Sequence, residues 1–269
     1  MCESIRGGLR LEPGTVNRTS STNASSSDSS EARVDGNGEF PSQQDGSQTV
    51  GSVNDGIGFY TEKEELANTI THAFGAILAV AGLYLLLVES RWTDIWKLLT
   101  CLIFGSSLIV AYSASALYHG VRGPEWKRFW RSVDHVTIYF LIAGTYTPFV
   151  LIILPVAWGW TLFTIVWLLA LLGMMIRVFN WQLPDHVSTA PYLAMGWVAL
   201  AAIKPMIDYS LIHGWGMLSL LVLGGLCYSG GTIFYNKMEM PYNHAYWHLA
   251  VLAGSLCHYF AVLFYVIPF

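Results

Sequence analysis

The chain has 269 residues, of which 54% are hydrophobic and only 12% carry a charged side chain. An average soluble domain has about twice that charged fraction, so the composition excludes an ordinary soluble protein. The formal net charge of −4 is small, and no basic patch in the sequence is interleaved with aromatic residues. These features argue against a nucleic-acid partner.

Residues 1–55 differ in composition from the rest of the chain. They are rich in Ser, Asn, Gly and Asp and are nearly free of aromatic residues. Such a segment buries too little apolar surface to offset its ordering entropy. We therefore predict a disordered polar tail over 1–55 and a membrane domain over 56–269. No apolar run follows Met1, which argues against a signal peptide.

After Leu66 the chain consists almost entirely of apolar runs long enough to cross a membrane. We predict an all-α membrane protein with seven transmembrane helices. The predicted spans are 67–88, 98–118, 136–154, 158–176, 187–203, 214–234 and 246–269, and none of them contains Asp, Glu, Lys or Arg. The paired glycines Gly224-Gly225 and Gly230-Gly231 in the sixth span indicate close helix packing.

The direction of the spans follows from the Lys and Arg residues in the connections, which are enriched on the cytoplasmic side of membrane proteins. With the N-terminus inside, seven of these residues lie on the inner side and three on the outer side. The inner set is Lys63, Arg122, Lys127, Arg128, Arg131, Arg177 and Lys237, and the outer set is Arg91, Lys97 and Lys204. We therefore predict a cytoplasmic N-terminus and a C-terminus outside, the reverse of the arrangement in G-protein-coupled receptors.

The predicted orientation can be tested on the two glycosylation sequons of the tail, which begin at Asn17 and Asn23. A cytoplasmic tail does not meet the lumenal glycosylation enzymes, so we expect both sequons to stay unmodified in a eukaryotic host. The measurement is the electrophoretic mobility of the protein before and after glycosidase treatment. Glycosylation at either asparagine, or digestion of the tail by protease outside intact cells, would contradict the prediction.

Three histidines and an aspartate lie at span ends that this orientation places on one side of the membrane. His119 follows the second predicted span, Asp134 precedes the third, and His244 and His248 lie at the start of the seventh. The i, i+4 spacing puts the imidazoles of His244 and His248 on the same helical face. Such a pair alone can be a packing feature, but ionisable groups at membrane depth favour a function. Four such side chains at one face indicate a metal site.

Ser115 and Asp134 complete the predicted site. Ser115 precedes His119 by four residues, so it faces the same way and could hydrogen-bond a water molecule. The alternative is a hydroxyl bonded to its own helix backbone. Asp134 could orient that water or act as a general base. Its alternative is an N-terminal carboxylate that caps the third span and is favoured by the helix dipole.

Three imidazoles with one open coordination position are typical of catalytic zinc. Zinc lowers the pKa of a bound water to about 7 and polarises a carbonyl group. Cu(II) and Ni(II) also bind imidazole, but a set without sulfur is most simply explained by Zn²⁺.

The remaining histidines carry less weight as candidate ligands. His72 could line a cavity, His258 lies deeper on the face of His244, and His135, His186 and His213 are interpreted as interfacial.

Four segments carry a family resemblance: Glu65-Leu-Ala-Asn68-Thr-Ile-Thr-His72-Ala-Phe-Gly75, Ser115-Ala-Leu-Tyr-His119, Asp134-His-Val-Thr-Ile-Tyr-Phe-Leu-Ile-Ala-Gly144-Thr-Tyr-Thr-Pro148 and His244-Ala-Tyr-Trp-His248. They resemble the hemolysin III family, which is grouped with the progestin and adipoQ receptors, including the adiponectin receptors. The resemblance covers about residues 60–269. It implies a seven-helix fold with zinc near the cytoplasmic side, His119, His244 and His248 as ligands, and Ser115 and Asp134 close to the zinc-bound water. It also implies membership of a wider group of membrane hydrolases that includes alkaline ceramidases.

We therefore expect a zinc-dependent hydrolase of a membrane lipid amide or ester, with its site at the cytoplasmic side of a multi-pass protein of the plasma membrane. Two alternatives stay open. One is a receptor or sensor in which a structural zinc ion joins the second and seventh helices. The other is a pore-forming cytolysin, which the sequence supports least because no polar face repeats along several spans. The sequence identifies no protein partner.

Overall fold

The computed structural model describes residues 60–90, 94–179 and 189–269. Within these ranges the chain forms seven helical segments that are long and apolar enough to cross a membrane, numbered here spans 1 to 7. They are Glu62–Glu89, Ile95–Gly120, Pro124–Ile153, Val156–Val178, Ala190–His213, Gly216–Tyr235 and Asn243–Val266. The predicted all-α, seven-span fold is confirmed. The orientation stays a prediction, and the predicted tail over 1–55 lies outside the described residues.

Four of the spans are single α-helices, and three change their helical type along their length. Spans 1, 2, 4 and 6 are α1 (Glu62–Glu89), α2 (Ile95–Gly120), α4 (Val156–Val178) and α7 (Gly216–Tyr235). Spans 3 and 7 are α3 (Pro124–Pro148) and α8 (Asn243–Ala261), each continued by a short π-helix, Phe149–Ile153 and Val262–Val266. Span 5 is α5 (Ala190–Gly196), a 3₁₀ helix (Trp197–Ala202) and α6 (Ile203–His213).

Local signals in the sequence explain where α1 and α3 begin. Thr61 caps α1 in a capping box, because its hydroxyl accepts from the Glu64 amide while the Glu64 carboxylate accepts from the Thr61 amide. Gly123, with φ of 94°, precedes α3, and Pro124 occupies its first turn, where a missing amide proton costs nothing. The starts of α1, α3 and α8 and the end of α2 lie together, and we call this end of the bundle the proximal end.

The third span begins twelve residues earlier than the sequence predicts, at Pro124 instead of residue 136. Hydropathy marks only the apolar part of a helix, whereas the charged and aromatic residues after Pro124 continue the same helix. Asp134 consequently lies ten residues inside α3, and the N-cap position is held by Gly123. The interpretation of Asp134 as an N-cap of this helix is therefore wrong.

The fifth span also differs from the prediction, because it ends at His213 and not at residue 203. Lys204, predicted to lie in an outer connection, is in α6, where its ammonium group is 2.7 Å from the Asp208 carboxylate. An i, i+4 ion pair stabilises a helix, so the helix can continue through these two charged residues. Pro205 is tolerated because it lies in the first turn of α6. The predicted start of this span at residue 187 lies outside the described residues.

The 3₁₀ segment in the middle of span 5 is held by a side chain of α3. The Tyr146 hydroxyl donates to the Gly196 carbonyl at 2.6 Å and accepts from the Ala199 amide at 2.8 Å. Irregular backbone at membrane depth needs such partners, and it is found where a helix lines a cavity. Span 5 is therefore broken at a defined place, next to the cavity described below.

Polar and small residues bring the helices around the core together. Tyr112 of α2 donates to Ser255 of α8 at 2.5 Å, and the Tyr228 hydroxyl of α7 is 2.6 Å from the same oxygen. These bonds join three spans within the bundle, and interhelical hydrogen bonds and small residues are what hold membrane helices together. They hold α8, which carries two of the three candidate ligands, against α2, which carries the third.

The helices approach each other closely at some glycines and not at others, and this difference gives a test of the packing. A Cβ atom on Gly159 of α4 would clash with the backbone carbonyl of Val150, which cannot rotate away, whereas a Cβ on Gly230 of α7 would meet no described residue within 4 Å. We expect Gly159→Ala to lower the free energy of unfolding by about 1–3 kcal/mol, as overpacking does in cores. Thermal unfolding in detergent measures the effect, with Gly230→Ala as the matched control. Equal melting temperatures for the two variants would contradict the described packing.

Candidate metal centre

The three predicted ligand histidines form one buried cluster at the proximal end. His119 lies in the last turn of α2, and His244 and His248 lie in the first two turns of α8. Their ring centroids are 4.5 to 5.1 Å apart, and one potential ligand atom from each histidine lies within 4.8 Å of the other two. Nitrogens on one tetrahedral zinc, with bonds of about 2.1 Å, are about 3.4 Å apart. Ring movements of about 1 Å would therefore let all three bind one ion.

The hydrogen bonds of the cluster test whether its donors fit a metal. His119 Nε2 and His244 Nδ1 are buried and have no hydrogen-bond partner among the described residues. Leaving a buried polar atom unpaired costs about 1–3 kcal/mol, and a metal ion would use both lone pairs. Nitrogen donors without acid or thiol suit Zn²⁺, which takes neutral imidazole readily. The residues present therefore fit a zinc ion.

The other nitrogens of two of these rings are held by α1. His119 Nδ1 lies 2.6 Å from Glu65 Oε2, and His248 Nδ1 lies 3.0 Å from Thr71 Oγ1 and 3.2 Å from the Asn68 carbonyl oxygen. Glu65 also pairs with Lys127 of α3 at 2.7 Å. Span 1 thus supports a cluster whose three imidazoles belong to spans 2 and 7.

Ser115 and Asp134 lie beside the three imidazoles. The Ser115 side chain is nearly fully buried and lies one helical turn before His119. Asp134 is half-buried, lines the cavity next to the cluster, and does not belong to the set of three close donors. Both side chains line the cavity, so the acid is placed to act on a molecule there.

The remaining described histidines lie in three different environments. His72 stacks on His248, with ring centroids 3.5 Å apart and an angle of 14° between the rings, and both its nitrogens are buried without a partner in the described residues. His258 and His135 line the cavity, so the interpretation of His135 as interfacial is incomplete. His213 is exposed at the far end, beside Tyr209. His186 lies outside the described residues.

A cavity of about 590 Å³ extends from the cluster into the bundle. This volume is within the range of about 300–1,000 Å³ typical of small-molecule sites. His244, His248, Ser115 and Asp134 line its proximal part. Further along, its walls are formed mainly by apolar side chains of spans 3, 5 and 6, among them Ile142, Phe149, Ile153, Met206 and Leu218. The cavity therefore suits a molecule with one polar end and a long apolar part.

Tyr60 precedes α1 and closes the proximal side of the cluster. Its ring centroid is 5.1 Å from that of His244, and it also lines the cavity. Burial raises the pKa of the Tyr60 hydroxyl above its usual range, because desolvation disfavours the phenolate, and the neighbouring Tyr235 and Tyr118 add to this effect. The hydroxyl therefore stays protonated and is available as a hydrogen-bond donor at neutral pH.

Sequence reasoning assigned no role to four residues that support the cluster: Tyr60, Glu65, Thr71 and Lys127. Glu65 and Thr71 lie inside the first of the four segments that carry the resemblance, and Lys127 was used only for orientation. A signal was present in α1, since Glu65, Asn68 and His72 are spaced by three and four residues and share one helical face. That face contacts the histidines.

Comparison with known proteins places the chain in a family. The model of the family described as Haemolysin-III related matches residues 60–259. The chain is 42% identical to Hemolysin-3 of Bacillus cereus over 207 residues, which cover 77% of this chain and 93% of that protein. It is 43% identical over 209 residues to the Hemolysin-3 homolog of Bacillus subtilis (strain 168), covering 77% and 97%. It is 30% identical over 214 residues to the human Monocyte to macrophage differentiation factor, covering 76% and 84%. This chain of seven apolar spans, with its buried three-histidine cluster, therefore belongs to the haemolysin-III-related family of integral membrane proteins.

Proposed function

We propose that the protein is a zinc-dependent hydrolase of a membrane lipid amide or ester. The observation that carries this proposal is the position of the three-histidine cluster, which lies at the polar end of a mainly apolar cavity, beside the acid Asp134. A purely structural zinc site is normally closed by four protein ligands. Only three close donors are present among the described residues.

His119, His244 and His248 would hold the ion. When bound, zinc would act as a Lewis acid on a carbonyl group and would acidify a water molecule. Asp134 accepts a proton from the attacking water, and the neighbouring Ser115 hydroxyl orients the Asp134 carboxylate. The oxygen of the water adds to the carbonyl carbon, the C–N or C–O bond breaks, and the proton passes to the leaving amine or alcohol.

The cavity favours a lipid as the substrate. Its proximal part carries the polar groups, and its apolar walls accept a hydrocarbon chain of the kind that supplies about 0.8 kcal/mol per buried methylene group. A substrate so bound would place its carbonyl group near the histidines while its chain lies between spans 3, 5 and 6. The predicted orientation would put this chemistry at the cytoplasmic side, in the plasma membrane.

The test uses the full-length protein, purified in detergent and returned to lipid vesicles. Bound metal is measured by elemental analysis, and a panel of lipid amides and esters, including ceramides, is screened for release of fatty acid. We expect about one zinc per chain and hydrolysis that stops on treatment with a chelator and returns on addition of Zn²⁺. Zinc-containing protein that hydrolyses no member of the panel but changes conformation on binding a ligand would favour the receptor.

A cytolytic activity is the second candidate, because two relatives carry the name Hemolysin-3. The same vesicles, loaded with a fluorescent dye, test it directly. Release of dye without hydrolysis of lipid would show that the protein forms a pore and would contradict the hydrolase proposal. Release of dye that depends on hydrolysis would make leakage a consequence of the proposed reaction.

A further inference from the structure

We infer that α1 is the positioning helix of the metal centre and that Glu65 is its principal residue. In this arrangement Glu65 fixes His119 with a proton on Nδ1 and a free lone pair on Nε2, and the α1 backbone does the same for His248. The inference rests on the proposed function, since it assumes a metal at the cluster. It assigns a role to residues of a span that supplies none of the three clustered ligand atoms.

The hydrogen bonds of Glu65 determine which nitrogen of His119 carries the proton. Glu65 Oε1 is 2.7 Å from Lys127 Nζ, and Glu65 Oε2 is 2.6 Å from His119 Nδ1. A carboxylate paired with an ammonium group is ionised and can only accept, so the His119 Nδ1 must be the donor. Nε2 is then the nitrogen left to bind a metal, and this atom is buried without a hydrogen-bond partner among the described residues.

Lys127 has a supporting part in this network. Its Nζ also donates to the backbone carbonyl of His119 at 3.3 Å and lies 4.7 Å from the centroid of the Tyr118 ring. It reaches the site from the charged beginning of α3, which the sequence analysis placed outside the third span. Lys127 thus ties three helices, α1, α2 and α3, at the Glu65 carboxylate, and it fixes the charge and the position of that group.

The nitrogen of His248 that carries the proton is determined in the same way, but its partner is a backbone carbonyl instead of a carboxylate. The Asn68 carbonyl, 3.2 Å from His248 Nδ1, can only accept a hydrogen bond. The Thr71 hydroxyl, 3.0 Å away, also accepts, because its own proton is directed to the carbonyls of Ala67 and Asn68 at 2.9 Å. His248 therefore carries its proton on Nδ1 and has Nε2 free. Two rings from different spans have the same tautomer, and α1 imposes it on both.

Outer partners that orient a ligating histidine typically contribute 10- to 100-fold to metal affinity. We therefore expect Glu65→Ala to weaken Zn²⁺ binding by about 10- to 100-fold, and the nearly isosteric Glu65→Gln, whose neutral amide still accepts, by about 3- to 10-fold. Thr71→Val should change affinity by less than about threefold, because the Asn68 carbonyl still holds the ring. Affinity is measured on the full-length protein in detergent with chromogenic chelators as competitors.

Lys127→Met gives a graded comparison, since it removes the ion pair but leaves the contact between Glu65 and His119. We expect it to weaken binding less than Glu65→Ala does. The second readout is the visible absorption of the Co²⁺-loaded protein, which reports the ligand field. Glu65→Ala and Glu65→Gln should shift this spectrum more than Lys127→Met and Thr71→Val do, because only the Glu65 variants remove the partner that holds His119. The melting temperature of each metal-free variant shows whether the fold is kept, and Glu65→Gln serves alone if Glu65→Ala does not fold.

Three results would overturn the inference. Wild-type affinity and spectrum in both Glu65 variants would show that the carboxylate does not position His119. A loss in Lys127→Met as large as in Glu65→Ala, with unchanged Co²⁺ spectra, would show that the residues only hold helices together. A wild-type protein that binds no zinc would remove the proposed function as well, and this outcome is distinct because it precedes any comparison of variants.

Discussion

Replacing either His244 or His248 by alanine should remove nearly all zinc from the purified protein. Each substitution takes one donor from a cluster in which only three donors lie close together, among the residues that the structure describes. We expect affinity to fall by more than the roughly 100-fold that marks the upper end of outer-partner effects, because a direct ligand is lost. Metal binding is coupled to folding, so the melting temperature in the presence of Zn²⁺ should also fall. Elemental analysis and thermal unfolding with and without zinc provide the two measurements.

His213→Ala is the control for these variants, because His213 is exposed at the end of the bundle away from the cluster. It should keep the zinc content and the zinc-dependent melting temperature of the wild type. Zinc content near one per chain in both His244→Ala and His248→Ala would remove the metal centre from consideration. A lower melting temperature without any loss of zinc would assign the two histidines to packing alone.

The number and type of the spans could be predicted from the sequence because apolar runs of this length have few alternatives. The ends of the spans could not be predicted, because helices continue beyond the apolar run where charged side chains form ion pairs or hydrogen bonds. Lys204 and Asp208 show this in α6, and the residues after Pro124 show it in α3. The break in span 5 also escaped prediction, since it depends on Tyr146, a side chain that is distant in sequence.

The candidate ligands were predictable for a different reason. Alternating direction brings the end of span 2 to the start of span 7, and a four-residue spacing puts two imidazoles on one face. Span direction and residue spacing could not predict which helices hold these rings in place. Glu65 and Lys127 are 62 residues apart in sequence, and their contact depends on how α1 and α3 pack against α2. Residue spacing thus predicts which imidazoles come together, whereas the contacts that orient the imidazoles depend on helix packing.

Substitution of Asp134 should separate catalysis from metal binding, and here the expected loss of activity is largest. Asp134→Asn keeps the shape of the side chain and removes its negative charge and most of its basicity. We expect the variant to retain about one zinc per chain, because Asp134 is not among the three close donors. Hydrolysis of a lipid substrate should fall by about 100-fold or more, as is typical when a general base is lost. The measurements are zinc content and the rate of fatty-acid release under saturating substrate.

Two further variants show whether the effect of Asp134→Asn is specific. Asp208→Asn removes an exposed carboxylate that pairs with Lys204 in α6, and it should leave the rate unchanged. Ser115→Ala removes the hydroxyl that we propose orients Asp134, and it should lower the rate by a smaller factor than Asp134→Asn, because the carboxylate is kept but less well oriented. An Asp134→Asn protein that hydrolyses lipid at the wild-type rate would exclude Asp134 as the base. One that loses zinc together with activity would instead make the carboxylate part of the metal site, because a group that acts only on water has no reason to control retention of the ion.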